Sequence, residues 1–455
     1  MTGNKENVLK DLPIKGIGLQ LVMFLYFYNI PLQLFKIPFS SGKLISIIAI
    51  SYMLSRIVVQ NGKIYKIPKE YFFLFSGVFI IYIITFILLK IVYNTPNNYY
   101  LNTLNYYIIE YLFGALFIIE YYKIYDLFLL VKNIIFLAVL QAMIMVGSLF
   151  IVPLKNIVVK VMEANPDFLQ FSNAEYIKDS FRGLTLASDR TLGMSIFFSL
   201  SIMLLYLYIS TKNSRISFFK YTLYFVVIFC GGILAARTFF VGLFFGFILI
   251  ILLYRNKIIY VVRLKRFIMI ISLVFVCVIL ATPMIVTTFF SNSKDEIDFA
   301  FNWIFEVFIN SEAKGFEKSE SLYDLVYNNL TVLPKNLQTL LIGDPNRKFE
   351  NGIHYMGVFT DSGYLRMLFV YGIIGSLTVY IFWVIIFIKT SKLFSKSEGV
   401  RYFLLMMSIV MFIGQVKFDV FPGNALNFKL LILFFVFGVE RKKLLSLHNL
   451  KFHEK

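Results

Sequence analysis

Long apolar runs separated by short polar segments dominate the chain. A helix of about 20 apolar residues spans the roughly 30 Å hydrocarbon core of a bilayer, and most of these runs approach or exceed that length. They lie near 14–35, 44–60, 71–93, 104–119, 127–152, 191–209, 218–235, 238–254, 267–290, 361–388, 402–416 and 425–439. The seventh and eighth form one long stretch that we divide into a hairpin at Arg237. The pattern predicts an all-α integral membrane protein with about twelve transmembrane helices.

The composition supports this prediction and excludes a soluble class. Of 455 residues, 59% are hydrophobic and 15% are charged, and a soluble chain of this length needs more polar surface. The first apolar run follows Lys5, Lys10 and Lys15, is too long for the core of a signal peptide, and lacks a small-residue cleavage site. We therefore expect it to be a retained first span.

The distribution of basic residues predicts the orientation. The chain has 44 Lys and Arg against 26 Asp and Glu, a formal net charge of +18. With the N-terminus in the cytoplasm, the short inner loops carry most of the basic excess, as does the tail Arg441-Lys442-Lys443, which agrees with the positive-inside rule. Both termini are thus predicted to be cytoplasmic. Contacts with anionic lipid headgroups explain the high charge, and no nucleic acid is needed.

The expected organisation has four parts. Spans one to nine occupy 1–290 and include an outer loop at 153–190, a large outer loop occupies 291–360, spans ten to twelve occupy 361–440, and a basic cytoplasmic tail occupies 441–455. Loops of this length usually carry function.

The large outer loop is expected to be partly helical. The apolar segment 297–309 suits a helix on the membrane surface. The segment 321–324 resembles a capping box before a short helix that Pro334 ends, and 343–346 reads as a turn.

Two cysteines and three histidines cannot form a disulfide framework or a metal cluster. Cys230 and Cys277 both lie in apolar runs and are interpreted as small apolar residues. No metal and no cofactor are expected.

Four arginines fall at the predicted outer boundary of the membrane. Arg182 and Arg190 precede the sixth run, Arg237 interrupts an apolar stretch with no acid nearby, and Arg366 lies early in the tenth run. Arginine beside lipid is costly unless it faces the protein interior, water or an anion, and its planar fork binds phosphate oxygens in pairs. The arrangement indicates a site for an anionic ligand, although each side chain could instead extend to headgroups or pair with an acid.

Three further polar residues are candidates for chemistry. His354, the one histidine on the predicted outer side, could act as a general base or be an ordinary surface residue. Asp361 opens the tenth run, where a carboxylate could act in catalysis or cap the helix. Glu110 lies within the fourth run, where an acid could relay protons, bind a cation or form a hydrogen bond between helices.

Two glycine spacings favour close helix packing over ligand binding. They are Gly242-x-x-x-Gly246 in the eighth run and Gly372-x-x-Gly375 in the tenth.

Three stretches of this sequence resemble the O-antigen and capsular-polysaccharide polymerases of the Wzy type, and the related O-antigen ligases. The first is an arginine, ten residues and a glycine, from Arg182 to Gly193. The second is Ala236-Arg237-Thr238, similar to the Ser-Arg-Thr hairpin tip of that family, with alanine in place of the serine. The third is the ordered set Leu340-Leu-Ile-Gly343, His354, Thr360-Asp361-Ser-Gly363-Tyr364-Leu365 and Tyr371-Gly372-Ile-Ile-Gly375.

The resemblance implies metal-independent glycosyl transfer at the outer face of a bacterial plasma membrane. Such enzymes move a growing glycan from undecaprenyl diphosphate onto a lipid-linked repeat unit. The implied roles are diphosphate binding by Arg182, Arg190, Arg237 and Arg366, and proton removal by His354 with Asp361 as its orienter or substitute. The implied partners are the undecaprenyl-diphosphate-linked oligosaccharide, membrane lipids and a chain-length regulator.

Three alternatives stay open at the sequence level, one of them a non-catalytic membrane scaffold, which would leave the outer arginines unexplained. O-antigen ligases tend to show a His-x-His-Asn-like cluster where this chain has Thr360-Asp361-Ser362-Gly363, which favours a polymerase. A flippase or transporter for lipid-linked sugars would suit Glu110, but such folds usually have two related halves and compact loops.

Overall fold

A computed structural model describes most of the membrane-spanning region. The described residues are 13–32, 40–59, 68–93, 106–163, 185–187, 191–211, 218–236, 238–255, 333–334, 336–344, 354–355, 358–359, 362–416 and 425–453. The predicted ninth run, most of the two long loops and the segment 321–332 lie outside these residues.

Almost all described residues are helical. The α-helices are α1 (Pro13–Tyr28), α2 (Ser41–Val59), α3 (Lys69–Tyr93), α4 (Gly114–Tyr121), α5 (Leu127–Phe150), α6 (Val152–Glu163), α7 (Thr191–Thr211), α8 (Phe218–Ala235), α9 (Thr238–Arg255), α10 (Leu337–Ile342), α11 (Gly363–Leu393), α12 (Glu398–Gly414) and α13 (Ala425–His453). A π-helix, Tyr106–Phe113, leads directly into α4. Two short strands, β1 (His354–Tyr355) and β2 (Val358–Phe359), pair antiparallel.

Each predicted apolar run that falls within the described residues coincides with a helix, which confirms an α-helical membrane protein. Among these residues, four helices are long and apolar enough to cross a membrane by length and composition: Leu127–Ser148, Gly193–Ser210, Thr238–Arg255 and Gly363–Leu393. Three shorter apolar helices accompany them: Gly16–Tyr28, Ser41–Ser55 and Phe219–Ala235.

Some helix ends differ from the ends of the predicted apolar runs. The helix of the first run ends at Tyr28 instead of near 35. The last helix continues to His453, so most of the predicted basic tail is helical. The outer loop predicted from 153 begins with a helix, α6.

Helix α7 lies at the centre of the described helices. Its window Gly193–Ser210 is completely buried, and it packs against α5, α8, α9, α12 and α13. Its serines satisfy their hydroxyl groups inside this apolar surrounding by bonding back to the helix, as when Ser201 Oγ donates to the Phe197 carbonyl at 2.8 Å. Because α7 contacts five of the other described helices, we use its two ends as the reference for the two ends of the bundle.

Helices α7 and α9 run parallel and in close contact. Ser195 and Thr238 share a hydrogen bond of 2.5 Å near their first residues, and one turn further Ser199 Oγ donates to the Phe239 carbonyl at 3.1 Å. A Cβ at Gly242 would overlap the Ser199 side chain. The predicted packing role of Gly242 is therefore confirmed, as is the hairpin break between α8 and α9.

The opposite end of the bundle, which we call the basic end, is defined by Lys389, Lys442 and Lys443, which lie there with Glu70 and Glu440. Tyr71 donates to Glu440 Oε1 at 2.9 Å, and Lys442 Nζ pairs with Glu70 at 3.0 Å. Lys389 Nζ lies 3.2 Å from the centre of the Phe73 ring. These contacts bring the start of α3 beside the later parts of α11 and α13.

Helix α11 is not the single straight span that the sequence predicted. Gly372 has φ +62° and ψ −175°, and the rings of Tyr364 and Tyr380 lie 5.5 Å apart. In a straight helix these residues would be about 24 Å apart, at 1.5 Å per residue. The chain therefore reverses at Gly372 into a first segment, 363–371, and a second segment, 373–393. The predicted close packing at Gly372 is confirmed, since its backbone lies against α10, but the same residue also makes a turn that the sequence analysis did not predict.

Candidate functional site

The first turns of three helices meet at the end of the bundle opposite the basic end. Ser195 and Thr238 join α7 to α9, and Asn427 Nδ2 of α13 donates to the Gly193 carbonyl of α7 at 3.4 Å. We call this place, defined by Gly193, Ser195, Thr238 and Asn427, the three-helix junction. All three helices start there and run towards the basic end.

Helix starts are electrostatically positive. The first backbone N–H groups of a helix have no partner within it, and the aligned peptide dipoles add about half a positive charge there. Three parallel helix starts at one place therefore favour an anionic group nearby.

Two of the predicted arginines adjoin this junction in the sequence. Arg190 directly precedes Thr191, the first residue of α7, and Arg237 directly precedes Thr238, the first residue of α9. Arg182, Arg190, Arg237 and Asp361 themselves lie outside the described residues. Their predicted roles stay predictions.

A polar contact fixes the chain just before α7. Gln141 Nε2 of α5 donates to Thr185 Oγ1 at 2.5 Å, and the same hydroxyl accepts from the Ala187 backbone N–H at 3.0 Å. Thr185 follows Arg182 by three residues and is buried. This segment, which belongs to the arginine–glycine motif, is therefore held against the helical core.

Arg366 is the one predicted site arginine that the structure describes. It lies in the first segment of α11, is half-buried, and its backbone N–H donates to the Ser362 carbonyl at 3.0 Å. The N-cap position of α11 is occupied by Ser362, not by Asp361. The alternative of Asp361 as the helix cap is therefore corrected.

His354 lies on the short β-hairpin. It pairs with Phe359 in the antiparallel register, and Tyr355 pairs with Val358. The hairpin comes shortly before α11, so His354 and Arg366 are close to each other in the sequence. The structure does not describe the His354 side chain, and its predicted role as a base stays a prediction.

The structure reveals a buried ion pair that the sequence analysis missed. Lys429 Nζ of α13 lies 2.7 Å from Glu110 Oε1 of the π-helix, with side chains 0% and 2% exposed. Lys429 Nζ also donates to the Tyr26 carbonyl at 2.7 Å. Of the roles left open for Glu110, the structure thus favours a hydrogen bond between helices. A lysine in the twelfth apolar run was the signal that could have identified the partner.

The groups around the ion pair stabilise it and leave room for it. The rings of Tyr26 and Tyr111 lie 5.3 and 5.4 Å from Lys429 Nζ, so their faces contribute cation–π attraction. Gly42 lets α2 approach, since a Cβ there would overlap Glu110 Oε1. Glu110 Oε2 is buried and has no hydrogen-bond partner among the described residues.

The ion pair lies close to the three-helix junction along α13. Lys429 follows Asn427, a junction residue, by two positions on α13. The pair therefore anchors the first turns of α13 to α1 and to the π-helix. Among the described residues, no three His, Cys, Asp or Glu side chains group closely enough to hold a metal ion.

Comparisons with protein-family models, curated proteins and solved structures find no match to this chain.

Proposed function

We propose that this protein is a glycan polymerase of the bacterial plasma membrane. It transfers a glycan from undecaprenyl diphosphate onto a lipid-linked repeat unit at the outer face, and the product is an O-antigen, a capsule or a related surface polysaccharide. The proposal extends the motif resemblance with the geometry of the three-helix junction.

One observation carries the proposal. Helices α7 and α9 start side by side, joined by the Ser195–Thr238 hydrogen bond, and an arginine directly precedes each of them in the sequence. Adjacent residues are about 3.8 Å apart along the chain, so neither arginine backbone can be far from the junction. Two guanidinium groups and three helix starts together supply the positive potential that a lipid diphosphate requires.

The proposed chemistry follows from that potential. As the bond between the sugar and the diphosphate breaks, negative charge builds up on the leaving phosphate, and prearranged positive groups stabilise it. Arg182, Arg190, Arg237 and Arg366 supply these groups. His354, assisted by Asp361, removes the proton of the acceptor hydroxyl.

The proposed topology has twelve spans with both termini in the cytoplasm. The basic end then faces the cytoplasm, in agreement with the positive-inside rule. The three-helix junction lies towards the outer leaflet, where the lipid-linked substrate has its diphosphate.

One argument for the rival transporter function is weakened. It depended on Glu110 as an ionisable group within the membrane, and this carboxylate is paired with Lys429. A closed ion pair between helices needs no transported ion to explain it.

The decisive variant is Arg237→Ala, with Arg255→Ala as a matched control at the other end of the same helix. Arg255 is exposed at the end of α9. Loss of one charge-stabilising donor slows a transfer step by about 100-fold or more, so Arg237→Ala should abolish long-chain polysaccharide while lipid-linked repeat units accumulate. Arg255→Ala should leave chain length unchanged.

Gel analysis of surface polysaccharide and of the lipid-linked pool measures both effects. Normal chain length in an Arg237→Ala protein that is inserted at wild-type levels would refute the proposal.

A further inference from the structure

Two glycines with left-handed backbones face each other where α10 meets α11. Gly343 has φ +86° and Gly372 has φ +62°. A Cβ on Gly343 would lie 2.6 Å from the Gly372 backbone nitrogen and would overlap the Val370 carbonyl. A Cβ on Gly372 would overlap the backbone of Leu341 and Ile342. Each position therefore requires glycine for two reasons: its φ is positive, and the neighbouring backbone leaves no room for a Cβ atom.

This contact, which we call the glycine clasp, joins the large loop to the tenth predicted span. The Asp344 N–H donates to the Phe369 carbonyl at 2.8 Å, and the Gly343 N–H closes α10 by donating to the Thr339 carbonyl at 2.8 Å. Phe369 is 1% exposed. The clasp is thus a backbone-to-backbone junction in a buried setting.

The first segment of α11 is fixed at both ends. At its start, the Tyr364 N–H donates to the Gln415 carbonyl at 3.3 Å and the Tyr364 hydroxyl to the Phe412 carbonyl at 2.8 Å. At its end stands the glycine clasp. Arg366 lies between the two attachments, so the position of its guanidinium group depends on both.

We propose that Gly343 and Gly372 are positioning residues for Arg366 in binding the lipid diphosphate. The clasp reverses α11 and holds the segment 363–371 beside the second segment, with Arg366 held between the two attachments. This inference rests on the proposed function. The glycines do not touch substrate, and they act through the backbone that carries the arginine.

The reversal itself can be tested without any activity. In a protein with Cys230→Ala and Cys277→Ala, the pair Tyr364→Cys and Tyr380→Cys should be joined by a thiol crosslinker shorter than half of the roughly 24 Å that a straight helix would impose. Adding Gly372→Ala should abolish the crosslink, because the alanine must separate α10 from α11. Absence of crosslinking with both glycines present, or its persistence with Gly372→Ala, would overturn the clasp.

Elongation kinetics test the link to Arg366. A misplacement of about 1 Å can cost on the order of 100-fold, so Gly372→Ala and Gly343→Ala should each lower kcat/KM for the lipid-linked repeat unit by about 10- to 100-fold. If they act through Arg366, Gly372→Ala combined with Arg366→Ala should be no worse than Arg366→Ala alone. Gly246→Ala is the control, since its Cβ would make ordinary contact at 3.4 Å.

The outcomes separate the two proposals. Normal elongation by Arg237→Ala would overturn the proposed function and this role of the clasp with it. Normal elongation by Arg366→Ala beside an impaired Arg237→Ala would overturn the role of the clasp alone. Impaired Arg366→Ala with normal Gly372→Ala, or losses that multiply in the double variant, would overturn the clasp alone.

Discussion

Glu110 and Lys429 are opposite charges that neither water nor lipid headgroups can solvate. Removing a charge from water costs several kcal/mol, and only a partner with good geometry offsets this. Lys429 has three such partners: the Glu110 carboxylate, the Tyr26 carbonyl and the tyrosine rings. Either charge alone would be buried without an opposite charge to compensate it.

Single neutralisation of the pair should therefore destabilise the protein more than double neutralisation. We expect Glu110→Gln or Lys429→Met alone to cost about 3–5 kcal/mol, and the two together to restore most of the loss. Thermal unfolding in detergent measures this. Lys442→Met, which breaks the exposed Lys442–Glu70 pair, should cost no more than about 1 kcal/mol. Singles as stable as wild type would show that the pair does not stabilise the fold.

The same pair shows what a sequence can reveal at the scale of residues. Each charge is visible as an exception within an apolar run, since charges in a membrane span require a partner. Their pairing is not visible, because 319 residues separate them and only the fold brings α13 against the π-helix. Thus the existence of a buried polar site was predictable, and its composition was not.

At the scale of elements, the helices were predictable and the turn within α11 was not. In lipid, backbone groups must be satisfied within the helix, so apolar runs translate directly into helices. The hydrophobic pattern continues unbroken across Gly372, however, and it contains no information on φ. The contact with α10, the helix that precedes α11 in the chain, accompanies the reversal, and the hydrophobic pattern does not predict that contact.

The parallel packing of α7 against α9 depends on one glycine. Gly242→Ala should destabilise the protein by about 1–3 kcal/mol, because the added methyl group overlaps the Ser199 side chain. Gly242→Ala with Ser199→Gly should recover stability, since the second change removes the obstructing atoms. Unfolding temperatures of both variants, beside the tolerated Gly246→Ala, test this. A Gly242→Ala protein with unchanged stability would contradict close packing at this site.

At the scale of the whole molecule, the directions of the helices agree with the distribution of basic residues. Helices α7, α9, α13 and the second segment of α11 all run from the junction end to the basic end. The basic residues at their far ends include Arg255, Lys389 and Lys442. In the proposed orientation these residues face the cytoplasmic leaflet, whose anionic lipids attract them, and the junction end faces the leaflet where the proposed substrate has its diphosphate.

This arrangement predicts which surfaces each side of the membrane can reach. In a protein lacking Cys230 and Cys277, we expect Gln338→Cys on α10 to react with a membrane-impermeant thiol reagent in intact cells. Lys396→Cys, in the exposed turn between α11 and α12, should react only after the membrane is permeabilised. The reason is that α10 packs against the turn at Gly372, from which the second segment of α11 runs to the basic end, and Lys396 follows the end of that segment. Labelling of Lys396→Cys in intact cells would reverse the orientation, put the three-helix junction in the inner leaflet, and remove the basis for an outer-face transferase.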